Sequence, residues 1–294
     1  MDRLAGAPIS WGICEVPGWG KQLGVDRVLG EMRSLGLKAT ELGAAGWLPS
    51  DADAINKILG HHELAAMAAF VPLVLHDATQ FESQMEGAEQ NAALLEAVGA
   101  SCFVTALVSD LNDWQRPSMT PADWEQVYRG LDQVDVIAAA HGLTQVVHPH
   151  ANTLVEQADE IELVLAHTEV QFCLDTGHFT LGHADPVAFA REHADRVGLV
   201  HLKDVRLAVA ERWRSGELTL MEAVQAGMFA CLGQGDVAIH RVVSDLEDTG
   251  YDGWYVFEQD VAITGVEPPP GEGPFDDVKA SVAFMRDLAT HTSS

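Results

Sequence analysis

Eight short apolar runs recur along the chain, each separated from the next by a longer amphipathic stretch. This alternation limits the fold more than any other feature. The runs occupy residues 7–11, 39–42, 64–71, 102–106, 143–148, 171–174, 197–202 and 254–258. Their length suits strands, and their continuous apolar character suits strands covered on both faces. Between them the spacing predicts helices. Over residues 25–35, Val25, Val28, Leu29, Met32 and Leu35 fall on one face, and residues 81–98 and 124–140 repeat the pattern over more turns. Pro49-Ser50-Asp51, Thr120-Pro121 and Asp185-Pro186 stand where helices should begin, and Gly36, Gly99 and Gly142 where they should end.

Eight strand–helix units favour a closed barrel over an open doubly wound sheet. An open dinucleotide fold would carry a glycine-rich phosphate loop after the first strand. Residues 11–19 hold neither a G-x-G-x-x-G pattern nor a P-loop lysine. The expectation is a single α/β domain over residues 1–294, a (β/α)8 barrel. A helical excursion is expected around residues 206–233, after the seventh strand, and a final helix around 275–289.

Composition narrows the partners. The chain has 17 Lys and Arg against 44 Asp and Glu, a formal charge of -27. A surface this acidic repels a phosphate backbone, so a nucleic-acid partner is not expected. No run approaches the roughly 18 apolar residues of a membrane span, and the opening Met1-Asp2-Arg3 lacks a signal peptide's apolar core. Cys14, Cys102, Cys173 and Cys231 are scattered without paired spacing, which suits a reducing compartment and excludes a thiolate zinc cluster. A cytoplasmic location and a homo-oligomeric state are the expectations.

Barrel chemistry sits at the carboxyl ends of the strands. Strand five ends Val147-His148-Pro149-His150 and strand six Leu174-Asp175-Thr176-Gly177-His178. Strand seven ends Val200-His201-Leu202-Lys203-Asp204 and strand eight Phe257-Glu258-Gln259-Asp260. Because side chains alternate, His148 and His150 share a face, as do His201 and Lys203. One such histidine alone would be an ordinary hydrogen-bonded residue. Together with Asp175 and Glu258 the pattern points elsewhere, since uncompensated buried carboxylates cost several kcal/mol each. A divalent ion held by His148, Asp175, His201 and Glu258 removes that cost. Mixed nitrogen and oxygen donors suit Mn2+ or Co2+, with Zn2+ or Fe2+ as alternatives. Trp11 could stack on a sugar face at the rim or pack in the core. Glu41, ending strand two, could accept a substrate hydroxyl or join a hydrogen-bond network.

Pro8-Ile9-Ser10-Trp11-Gly12, Thr40-Glu41-Leu42-Gly43, Asp175-Thr176-Gly177-His178, His201-Leu202-Lys203-Asp204-Val205-Arg206 and Gly253-Trp254 leading to Glu258-Gln259-Asp260 occur in that order. With them the chain resembles the xylose-isomerase-like barrel superfamily, and within it the inosose dehydratases. His148-x-His150 followed by Thr153, and Gly227-Met228-Phe229 before Gly233-x-Gly235-Asp236, resemble that family too. The resemblance implies a metal-dependent carbon–oxygen lyase acting on a keto-polyol or cyclitol such as 2-keto-myo-inositol. Glu258 or His150 would be the base, His178 or Lys203 the acid, and Trp11, Glu41 and Arg206 would contact substrate. Epimerases of the superfamily carry a glutamate where this chain has His148. A ketose 3-epimerase or isomerase nonetheless stays open, as does a catalytically silent sugar-binding barrel. So does β-elimination on a 3-keto-glycoside, for which Phe70-Val71-Pro72 would offer an apolar wall.

Overall fold

The computed structural model describes residues 3–112 and 114–291. Eight parallel strands close into a barrel: β1 (Leu4–Gly6), β2 (Ala39–Glu41), β3 (Ala65–Leu73), β4 (Cys102–Leu107), β5 (Thr144–Val147), β6 (Gln171–Asp175), β7 (Val197–Leu202) and, after an excursion, β10 (Tyr255–Phe257). β1 closes the ring by pairing with both β2 and β10. Inside, Ala5, Ala39, Ala68, Cys102, Val104, Val146, Cys173, Leu199 and Val256 fill the lumen. Small and medium side chains dominate there because several strands point inward at each layer. The larger Leu, Val and Phe residues on the outward strand faces pack against the helices in a second, more extensive cluster. Among the described residues no helix is long and apolar enough to cross a membrane.

The expected helix boundaries have identifiable chemistry. Asp51 accepts from Ala54 N, Asp185 accepts from Val187 and Ala188 N, and Thr120 forms a reciprocal capping box with Asp123. Gly36, Gly99 and Gly142 have φ of 82°, 75° and 69°, the left-handed turn that stops a helix.

Three expectations change. The first strand is Leu4–Gly6, not residues 7–11, because Pro8 cannot donate to a ladder and Pro8–Trp11 winds into a 3-10 turn closed by Gly12. Strand six ends at Asp175, and Thr176–Leu181 is a short helix that Asp175 caps. The excursion after β7 is only partly helical. It contains helices Leu207–Arg214 and Leu220–Gln225 and a two-stranded antiparallel ribbon, β8 (Asp204–Val205) with β9 (Phe229–Ala230). Asp204 is buried, and its carboxylate accepts from the backbone N–H groups of Val205, Gly233, Gly235 and Val237, tying that ribbon together. The final helix runs Pro274–His291.

One contact locks the β5 and β6 loops together. Ala158 N donates to Gly182 O at 3.0 Å. A Cβ built on Gly182 would stand 1.8 Å from Glu156 O, a backbone atom with little room to retreat. Gly182→Ala is therefore expected to cost roughly 1–3 kcal/mol, read as a melting temperature lowered by several degrees.

Candidate active site

Strand register assembles the polar cluster. Cα pairing sets Asp175 beside His201 and His201 beside Val256, which brings Glu258 level with Lys203 at the open end of the barrel. His148, Asp175, His178, His201, Lys203 and Glu258 are all buried there. One ligand atom from each of His148, Asp175, His201 and Glu258 lies within 4.8 Å of the other three, so these four side chains could hold a metal ion.

The remaining polar atom of each of these side chains is anchored, apart from that of His148. Asp175 Oδ1 accepts from Gly177 N and His178 N, both at 2.8 Å. Glu258 Oε1 accepts from Lys203 Nζ at 2.8 Å. His201 Nε2 stands 3.0 Å from Glu41 Oε1. The opposite atoms converge: His148 Nε2 is 3.4 Å from Asp175 Oδ2, and His201 Nδ1 is 2.6 Å from Glu258 Oε2 and 3.7 Å from Asp175 Oδ2. Although His201 Nδ1 touches Glu258, it makes no aligned hydrogen bond and is an orphaned buried nitrogen. A nitrogen and a carboxylate oxygen that meet without sharing a proton suit two lone pairs aimed at a cation. The donor set fits a divalent ion.

Lys203 is the electrostatic counterweight. Its Nζ lies 2.8 Å from Glu258, 3.0 Å from Asp260 and 3.3 Å from Asp175. It is also 3.0 Å from His178 Nε2. Burial alone would depress the lysine, but the three carboxylates hold it well above the usual lysine range. Burial likewise opposes ionisation of Asp175 and Glu258, yet Lys203 and the neighbouring histidines keep both well below the carboxylate range. Burial dominates at Asp260, which is raised to about 6 despite Lys203. A Cβ on Gly177 would come 2.6 Å from Lys203 Cγ, so glycine makes room for the lysine stem.

His150 and His178 form a second layer beside this cluster, with ring centroids 3.9 Å apart. His150 Nδ1 donates to Ala151 O at 2.8 Å, leaving Nε2 with its lone pair. Burial lowers His150 to about 3 and, with His150 and Lys203 adding to it, holds His178 well below the histidine range. Both rings are neutral at pH 7.

The structure does not bring every expected residue here. Trp11 is fully buried in the core, and its Nε1 donates to Glu31 Oε2 at 2.8 Å, so it is corrected from a rim residue to a packing one. Moving the first strand to residues 4–6 accounts for the change. Glu41 serves the hydrogen-bond network through His201. Arg206 Nη1 donates to Gly227 O at 2.6 Å and secures the turn before β9. Two residues were not singled out from sequence. Asp260 joins Lys203, and the alternation that aligns it with Glu258 was the available signal. Trp114 stands 5.7 Å from His150 and 5.8 Å from Phe70, ring centre to ring centre, and no periodicity marks it because it lies in a loop.

A closed parallel barrel with this cluster at its carboxyl end defines a class, and the family comparison agrees. The family model described as xylose isomerase-like TIM barrel matches residues 29–288, and the chain belongs to that family as one of its enzymes. Its relatives are more particular. The chain is 31% identical over 301 residues to inosose dehydratase of Geobacillus kaustophilus, covering 98% of this chain and 95% of the relative. It is 31% identical over 265 residues to the rhizopine catabolism protein MocC of Rhizobium meliloti, covering 87% and 81%. Among solved structures, the IolI protein with a bound zinc atom superposes with a TM-score of 0.72 at 13% identity, covering 98% of both chains. An L-ribulose 3-epimerase gives 0.71 at 18% identity, covering 100% and 99%.

Removing the counterweight should expose the charge balance. Metal-free Lys203→Met is expected to lose about 3–5 kcal/mol at neutral pH, because Asp175, Glu258 and Asp260 lose the buried ammonium they share. In the parent, the depressed Asp175 and Glu258 stabilise above the unfolded carboxylate range and lose that contribution only as pH falls through their low folded values. In the variant their folded values rise, so its deficit should shrink toward acid pH. Denaturant unfolding at several pH values, with chelator present, checks both statements.

Proposed function

We propose that this enzyme is a divalent-metal-dependent hydro-lyase that removes water from a keto-polyol, with 2-keto-myo-inositol as the model substrate. The observation that carries it is the convergence of one atom each from His148, Asp175, His201 and Glu258, with Asp175, Glu258 and His201 anchored from behind. The 31% identity to an inosose dehydratase over 98% of the chain supports the substrate class. The ion, Mn2+ or Co2+ by donor type, would polarise the ketone oxygen and neutralise charge developing as the adjacent carbon loses its proton.

The chain's own groups divide the proton work. Glu258 has Oε1 on Lys203 and Oε2 toward His201, so it serves as ligand and leaves proton abstraction to His150. His150 is half-buried, and the bond to Ala151 O presents its Nε2 lone pair. The C–H electrons form the new double bond, the β carbon–oxygen bond breaks, and the departing oxygen takes a proton from the Lys203 ammonium and leaves as water. His178 Nε2, 3.0 Å from Lys203 Nζ, positions that ammonium. Phe70 and Trp114 wall the side of His150 and suit the apolar face of a ring substrate. Epimerisation would need a second base across the reacting carbon. Strand five supplies His148 there, with its Nε2 turned to Asp175.

Incubation of the Mn2+-loaded protein with 2-keto-myo-inositol should produce enone absorbance; deuterium uptake from solvent without water loss would instead favour an epimerase or isomerase. His178→Ala is expected to keep the metal and solvent exchange at the acidic carbon while turnover falls about 10²–10⁴-fold. His150→Gln should keep the metal and lose both exchange and turnover. Chelation should lower the melting temperature, since an ion bound only by the folded state stabilises it by mass action. A melting temperature indifferent to chelator and to Mn2+ or Co2+ loading would remove the metal site.

A further inference from the structure

Below the rim cluster lies a donor that the lyase chemistry does not use. Cys173 is two residues before Asp175 on β6, so strand alternation sends its side chain into the barrel beneath that carboxylate. It is completely buried. Its Sγ and one ring nitrogen from each of His148 and His201 lie within 4.8 Å of one another. His148 Nδ1 and His201 Nδ1 are both buried without a hydrogen-bond partner. A buried imidazole nitrogen without a hydrogen-bond partner is costly unless something binds it, and His148 Nδ1 is such an atom. His201 Nδ1 is shared with the carboxylates above it.

We propose that Cys173, His148 and His201 form a second, soft-metal site one layer below the rim, taking Zn2+ or Cd2+ in competition with the harder ion of the rim site. Only the competition rests on the proposed function, through the two histidines the sites share. Three protein donors of sulfur and nitrogen are a set that selects thiophilic ions, whereas the two carboxylates of the rim set favour Mn2+. Zinc needs sulfur at about 2.3 Å and nitrogen at about 2.0–2.1 Å, so the three donors, within 4.8 Å of one another, would have to draw in toward a common centre. On binding, the Cys173 S–H bond breaks, a sulfur–metal bond forms, and one proton leaves to solvent. An ion drawn to sulfur lies deeper in the barrel and farther from Glu258. The identity of the bound ion then decides whether it occupies the substrate layer.

The test begins with the full chain stripped by chelator and given one equivalent of Zn2+. X-ray absorption should show a single sulfur neighbour at about 2.3 Å. Titration with Cd2+ should give a sulfur-to-cadmium charge-transfer band and release one proton per ion, and prior Mn2+ should suppress the band. Cys173→Ala should lose the sulfur neighbour and the band, while Cys14→Ser should keep both. Should Cys173→Ala fail to fold, the triple variant Cys14→Ser, Cys102→Ser, Cys231→Ser leaves Cys173 as the sole thiol and should retain the sulfur signal. Zinc bound only by nitrogen and oxygen overturns the proposal, as does a band that survives in Cys173→Ala or vanishes in Cys14→Ser. Mn2+ binding without any sulfur signal for Zn2+ overturns this site alone. A sulfur signal with no Mn2+ binding overturns the rim site and leaves this one standing.

Discussion

A single buried ammonium group balances the open end of the barrel. Lys203 has no exposed surface and is within 3.3 Å of three carboxylates and a histidine. Without it, Asp175, Glu258 and Asp260 would be a packed group of like charges in a low-dielectric setting, and they would protonate or separate. With it, Asp175 and Glu258 stay ionised and available as ligands. The arrangement also explains local sequence requirements that no ligand imposes. Gly177 has no side chain because the Lys203 stem passes through the space a Cβ would fill.

The same cation links the cluster's two tasks. Through Glu258 it orients a carboxylate toward the convergence point, and through His178 it reaches the close pair of mutually tilted histidines. Asp175 does comparable double duty. One oxygen caps the helix Thr176–Leu181, and the other faces the histidines. Helix capping therefore fixes the carboxylate's rotation before any ion or substrate arrives, a form of preorganisation that costs nothing at the moment of reaction.

Much of this was legible from residue order. Strands covered on both faces are continuous apolar runs, and a polar residue at the end of such a run is conspicuous, which is why His148, Asp175, His201, Lys203 and Glu258 stood out. Period-two alternation then put Lys203 on the face of His201. What stayed hidden depends on contacts across the fold. Trp11 reads as a rim aromatic only if residues 7–11 are a strand. The 3-10 turn at Pro8–Trp11 instead swings it onto Glu31, a partner 20 positions away. Glu41 was ambiguous because its partner, His201, is 160 positions away. Asp260 resembled one of many acidic surface residues in a chain of charge -27. Trp114 sits in a loop, where neither period applies.

The Trp114 loop differs in kind from the rest of the site. The charged cluster grows from strand ends and a helix cap, each bound into the barrel's hydrogen-bond ladder. In the loop after β4, Arg116 donates to Thr153 O at 2.9 Å and pairs with Glu160. The ladder, the cap and the ammonium–carboxylate balance draw on strand ends and the helix Thr176–Leu181, not on Trp114. Trp114 nonetheless meets the edge of His150, so the loop and the histidine pair share one surface. A change of side chain at Trp114 would reshape that surface while leaving the strand-borne groups in place.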